Sequence, residues 1–169
     1  MKHYTGNILL RIGKIPAICI TTNGFVTTKG KCVMGRGIAK QISDLYPEIP
    51  QLLGKLIKEN GNIVQVITNI KGTDIISFPV KPIISSDHSK LVNHMIGKIT
   101  SNNIPGWAVK ADIDIIESSS KQLDSLINIK KYKYVCLPKP GCGAGELSWD
   151  EVRSKIKDIL SENVVICSL

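Results

Sequence analysis

Strand-length apolar runs alternate with helix-period patterns along this chain, and that alternation constrains its fold more than any other feature. Ala17 to Thr22 is short and β-branched and reads as a buried strand. Ile63 to Thr68, Asp74 to Val80, Tyr134 to Leu137 and Val164 to Cys167 read the same way. Tyr4 to Leu10 adds an edge strand that Gly6-Asn7 interrupts. Between them lie amphipathic patterns. Ile38, Ile42, Leu45 and Tyr46 share one face of a helix opened by Gly35-Arg36-Gly37 and stopped by Pro47. Pro50 suits the first turn of a second helix carrying Leu52, Leu53, Leu56 and Ile57, which Gly61 ends. Ile113, Ile116, Leu123 and Ile127 follow helical spacing after Ala111-Asp112. Ser148-Trp149-Asp150-Glu151 fits a capping box before a helix that buries Val152, Ile156 and Ile159. The order predicts a layered α/β fold. Lys81 to Lys110 fits it least: it holds Pro82 and Pro105, with a short helix over Lys90 to Ile99. It reads equally as a mobile flap over a site or as a surface insertion.

A length of 169 residues fits one domain, residues 1–169, and a 43% hydrophobic fraction supplies a core. The formal charge of +8 favours anionic partners: nucleotides, phosphorylated metabolites or nucleic acid. The charge is thinly spread, however. Its tightest cluster, Lys130, Lys131 and Lys133, reads as a solvated turn, and aromatics make up only 5% of the chain, so a nucleic-acid stripe lacks its stacking residues. Five cysteines without a CxxC pair read as reduced and intracellular, and His3, His88 and His94 have no metal-ligand spacing with them. The N-terminus has no apolar signal core and no run approaches a membrane span, which points to a soluble, cytoplasmic protein; a monomer with neither metal nor cofactor is expected.

Two glycine-rich segments stand out, each before a helix: Val33-Met34-Gly35-Arg36-Gly37-Ile38-Ala39 and Pro138-Lys139-Pro140-Gly141-Cys142-Gly143-Ala144-Gly145-Glu146. Glycine lets the backbone approach a ligand closely, and a helix start offers unpaired N–H groups to an anion. Two such segments suit two adjacent phosphates. Neither carries the GK[ST] ending of a P-loop or the GxGxxG spacing of a dinucleotide fold.

The run Ile18-Cys19-Ile20-Thr21-Thr22-Asn23, followed by Met34-Gly35-Arg36-Gly37-Ile38-Ala39, resembles the macro-domain signature. Leu137 to Trp149 is similar to that family's second phosphate loop, above all in the branch of terminal ADP-ribose protein glycohydrolase and the ADP-ribose-1''-phosphate phosphatases. The resemblance spans about Tyr4 to Leu169 and is weak between Ile83 and Gly106. It implies a three-layer α/β/α fold around a central mixed sheet, and a cleft for ADP-ribose or a derivative, free or attached to a macromolecule. By the same resemblance Asn7 and Ile8 lie beside the adenine, and Asn23, with Thr22, faces the distal ribose. Met34, Gly35, Arg36, Gly37 and Ile38 line one side of the pyrophosphate. Pro140, Gly141, Cys142, Gly143, Ala144, Gly145 and Glu146 line the other.

Three departures qualify it. Asn7 replaces an aspartate, exchanging a charge for an amide that donates as well as accepts. Lys81 resembles the glycohydrolase lysine, but Gly145 stands where that branch has its aspartate. The loop from Gly24 to Val33 is longer than usual.

Lys81 and Asn23 are the catalytic candidates. Lys81 would form a Schiff base with the open-chain ribose if burial depressed its pKa, and otherwise reads as a phosphate- or solvent-facing lysine. Asn23 would orient a hydroxyl. Cys142 reads as an activated thiolate or as a small packed residue, and Glu146 as a water-activating acid or a helix-start acid. Asp87-His88 reads as an acid/base couple or a solvated pair. Trp107 reads as a lid residue or a half-buried one. A binder, a hydrolase releasing ADP-ribose from protein or nucleic acid or phosphate from ADP-ribose-1''-phosphate, and a basic nucleic-acid-binding protein are the three functional readings.

Overall fold

A computed structural model describes residues 1–169. Lys2–Thr5 forms β1. The expected strand to Leu10 ends there, because Gly6 turns the chain at φ 145° and Asn7 caps a 3₁₀ turn over Ile8–Arg11, its side chain accepting from Leu9 N–H at 2.9 Å. A side-chain acceptor so placed competes with the sheet ladder, and the turn buries Ile8 and Leu9.

Ala17–Thr22 forms β2, Gly37–Leu45 α1, and Ile49–Asn60 α2, which Gly61 ends at φ 94°. Gln65–Ile70 and Thr73–Pro79 form β3 and β4, an antiparallel hairpin turned by Lys71 and Gly72 with φ of 51° and 88°. The third strand starts two residues later than expected: Val64 N–H donates out of the ladder to the Gln122 side chain at 2.8 Å. Ile84–Ser85 and Ile104–Pro105 form a two-residue hairpin, β5 and β6. Where one helix was expected over Lys90 to Ile99, there are 3₁₀ turns at His88–Lys90 and Asn93–Met95. Leu91 and Val92 pair with Val109 and Ala108 between those turns, which holds the chain extended and stops a helix from propagating.

Ile113–Lys130 is α3, capped by Asp112, whose carboxylate accepts from Asp114 and Ile115 N–H groups. Val135–Pro138 is β7, Trp149–Ile156 is α4, and Val164–Ser168 is β8. The expected capping box does not close: Ser148 sits at the N-cap without a side-chain bond, and it and Glu151 are exposed to solvent. Ile159 lies past the end of α4 and is half-buried.

Six strands make one mixed sheet in the order β1-β8-β7-β2-β4-β3, parallel except for the β3–β4 pair. Side chains alternate between its faces. Ile18, Ile20, Ile75, Cys136 and Val165 pack against Ile42 of α1 and Leu53 of α2. Cys19, Ile76, Phe78, Val135, Leu137 and Ile166 pack against Ile116 and Leu123 of α3 and Val152 of α4. The result is helix, sheet, helix, the three-layer arrangement expected. No helix is long and apolar enough to cross a membrane.

This topology positions the site. β2 and β7 are adjacent and parallel, yet the loop after β2 leads to α1 on one face and the loop after β7 leads to α4 on the other. Such a switch point leaves a crevice at the carboxyl ends of the strands. Both glycine-rich segments are these two loops.

Candidate functional site

A cleft of about 470 Å³ occupies that crevice. Thr22, Asn23, Met34, Gly35, Arg36, Gly37 and Ile38 line one side. Gly141, Gly143, Ala144 and Gly145 line the other, and Lys81 after β4 also reaches the cleft. The main-chain N–H groups of Gly35, Arg36, Gly143, Ala144 and Gly145 have no acceptor within the protein. Those of the first turn of α1 are unpaired by the geometry of a helix start. Two sets of free donors thus face one space, and Arg36 adds a positive charge beside them.

The glycines divide into two kinds. A Cβ on Gly35 or Gly143 would meet no protein atom within 4 Å, so nothing in the protein demands glycine there; Gly37 has the same open space but a φ of 58°, which favours glycine. Gly141 and Gly145 are demanded by the protein: Gly141 has φ 75°, and a Cβ on Gly145 would press on the Gly141 carbonyl and Ala111.

Asn23 lines the cleft, but much of its amide is committed. Its oxygen accepts from Phe25 N–H at 2.8 Å and its nitrogen donates to the Val33 carbonyl at 2.9 Å. The side chain braces both ends of the long 24–33 loop and keeps one donor and one acceptor site in hand. The loop itself lies against α2, where Gly54 is in contact with the Gly30 carbonyl.

Lys81 follows β4 and is buried, with 8% of its surface exposed. Its Nζ donates to the Trp107 carbonyl at 3.2 Å and the Ala144 carbonyl at 3.3 Å. Burial lowers its pKa to about 8; Glu146 opposes the shift and Arg36 adds to it. Close to neutral pH the amine is therefore partly uncharged while sitting at the cleft wall.

Five expected site residues, Asn7, Ile8, Pro140, Cys142 and Glu146, lie outside the cleft lining. Asn7 and Ile8 are in the 3₁₀ turn after β1, Asn7 bonded to Leu9 and Ile8 in the core. The Cys142 thiol turns back to the Pro140 carbonyl at 3.5 Å, and burial raises its pKa, which opposes a thiolate. Glu146 accepts from Asn93 N–H at 2.9 Å. It precedes α4 by three residues, so it is no helix-start acid. Asp87 accepts from Ser89 and caps a turn, with an exposed carboxyl held below its usual pKa by those bonds; neither it nor His88 reaches the cleft. Lys130, Lys131 and Lys133 form an exposed turn at the end of α3. Trp107 does line the cleft. So does His94, which the sequence did not single out; it stands on a segment whose path only the tertiary pairing with Ala108 and Val109 defines. No three His, Cys, Asp or Glu side chains group to hold a metal ion.

The mixed six-stranded sheet between two helical layers, with its cleft over the β2–β7 switch point, is the macrodomain fold. No family model matches the sequence, and no curated protein is similar to it. Solved structures carry the likeness. The macrodomain of Mycobacterium tuberculosis DarG is 23% identical at a TM-score of 0.68, over 100% of this chain and 98% of that one. The macrodomain of Thermus aquaticus DarG is 22% identical at 0.68, over 98% and 95%. Thermosipho africanus DarTG, solved in complex with ADP-ribose, is 17% identical at 0.60, over 90% of this chain and 38% of that one.

Proposed function

We propose that this chain binds ADP-ribose, free or joined to a macromolecule, across the carboxyl ends of its parallel strands. The observation that carries this reading is the convergence of unpaired main-chain N–H groups from two loops of opposite faces on one cleft. That arrangement suits a pyrophosphate, whose two anionic groups each take one set of donors. The likeness to part of DarTG, a protein solved in complex with ADP-ribose, supports the same choice of ligand. In this reading the ligand runs along the sheet edge. Its adenine lies toward Asn7 after β1, and its terminal sugar lies over Asn23 and Lys81 after β2 and β4. β1 and β4 are four strand spacings apart, about 19 Å, a span that an extended dinucleotide-like ligand fits. Isothermal calorimetry tests the reading: a saturable signal with ADP-ribose is expected, and none with ribose 5-phosphate at the same concentration. No binding of ADP-ribose would overturn it.

A second reading, hydrolysis, rests on Lys81. A buried amine with a pKa of about 8 is a competent nucleophile near neutral pH. It would add to C1 of the terminal sugar as the attached group leaves with the proton that the nitrogen sheds. Ring opening would give an imine, and water would then release ADP-ribose and restore the amine. Free N–H donors beside the sugar would stabilise charge developing on oxygen. Release of ADP-ribose from modified protein or nucleic acid, lost in Lys81→Ala while ADP-ribose binding persists, would establish this chemistry.

A further inference from the structure

Residues 83–110 carry a small core of their own: Leu91, Ile104, Ala108 and Val109, separate from the two clusters that flank the sheet. Away from its two roots, this segment is tied to the rest of the protein by one hydrogen bond at the cleft wall and one just outside it. Lys81 donates to the Trp107 carbonyl, and the Glu146 carboxylate takes the Asn93 N–H at 2.9 Å. Glu146 holds a left-handed backbone, φ 61°, which favours glycine over glutamate. A strained residue whose side chain reaches across to another segment has its use in that reach. The clasp fixes Asn93, and the next residue, His94, faces the cleft. Arg36, Lys81, Lys98 and Glu146 are the charged groups around the imidazole. Partial desolvation, then Arg36 and Lys98, keeps it less basic than an ordinary histidine.

Resting on the reading above, we propose that His94 sets the specificity of the cleft for the group joined to the terminal sugar, favouring an anionic one such as a phosphate ester, and that Glu146 positions it. His94 stands at the Lys81 end of the cleft, the sugar end, and not at the Asn7 end. Three cations, Arg36, Lys81 and Lys98, stand around it there. The one carboxylate nearby is already engaged by the Asn93 N–H, so the unmet charge of this corner is positive. An imidazole N–H beside Arg36 would donate to an oxyanion on the sugar and find no partner on an unsubstituted hydroxyl that points elsewhere.

The test is calorimetric titration of the full chain with ADP-ribose and with ADP-ribose-1''-phosphate, reading the ratio of the two affinities. A tighter complex with the phosphorylated ligand is expected, and His94→Ala should reduce that preference about tenfold, the usual size of one charge-assisted hydrogen bond. Glu146→Ala should reduce it similarly and also speed amide exchange over residues 88–99, which His94→Ala should not do. Glu146→Gln keeps an acceptor for Asn93 and should keep the preference. An affinity ratio unmoved by His94→Ala, whether both ligands weaken together or neither does, overturns the proposal while leaving ADP-ribose binding standing. A wild-type chain that binds neither ligand overturns the reading of the cleft itself.

Discussion

Lys81 shows how a single residue's surroundings convert into a measurable curve. Its pKa lies near 8 because burial penalises the ammonium more than Glu146 favours it. Only the neutral amine attacks carbon. A nucleophilic role therefore predicts that kcat/KM rises about tenfold per pH unit below 8 and levels off above it. An unperturbed lysine would still be gaining at pH 10. A flat profile from pH 6 to 9, with Lys81→Ala fully active, would remove Lys81 from the chemistry. The glycines give a second prediction at this scale. Gly35 and Gly143 have open space where a Cβ would go and no positive φ, so Gly35→Ala and Gly143→Ala should leave stability within about 1 kcal/mol of the parent. They should weaken ADP-ribose by about tenfold or more, because a pyrophosphate held by these two loops would meet the added methyl. Thermal melts with and without ligand separate the two effects. Equal ligand-induced shifts in parent and both variants would place the pyrophosphate elsewhere.

Among the elements, the 24–33 loop is held by the doubly bonded Asn23 amide, by the Gly24 and Cys32 N–H groups donating to the Pro82 and Pro50 carbonyls, and by the contact between Gly54 of α2 and the Gly30 carbonyl. Gly54→Ala pushes a methyl into that carbonyl. The expected cost is about 1–3 kcal/mol, the usual range for overpacking a close contact. Because the loop runs into Met34 and Gly35, ADP-ribose affinity should fall with it. A variant as stable as the parent in urea would show that the loop yields freely. What the sequence could reveal follows the same division. β2 and β7, with α1, α2 and α3, were legible from apolar periodicity and from their Pro, Gly and Asp punctuation, since burial on one face imposes the pattern locally. The two glycine loops were legible as a pair because each is contiguous. The turn after β1 was not, since Ile8 and Leu9 are apolar for a 3₁₀ turn's packing as much as for a strand's. Nor was His94 or the Glu146 clasp. Both depend on Val92 meeting Ala108 and Asn93 meeting Glu146, contacts between residues 16 and 53 positions apart that no local pattern encodes.

The whole molecule concentrates its open valences on one edge of the sheet. The loops after β2, β4 and β7 meet at the carboxyl edge, whereas the opposite edge is closed by short turns such as Lys71-Gly72 between β3 and β4. A ligand seated on the carboxyl edge adds to the few bonds, Lys81 to the Ala144 carbonyl and Gly24 N–H to the Pro82 carbonyl, that join these loops beyond the sheet. At about a hundredfold excess over its dissociation constant, it stabilises the fold by roughly 2.7 kcal/mol. If that free energy enters through the cleft, amide exchange on adding ADP-ribose should slow first at residues 33–39 and 141–146, which lose their open N–H groups to phosphate. Residues 71–73 and 131–133, on turns outside the cleft, should slow only where exchange follows global unfolding. The +8 charge gives the competing account its own signature. Attraction of a polyanion to a basic surface would weaken steeply with salt and protect the exposed lysine-bearing turns alongside the cleft. Protection confined to the two glycine loops and little changed between 50 and 300 mM salt, concentrations set on the order of those that separate counterion release from site binding, is the outcome expected of a pyrophosphate held by main-chain donors.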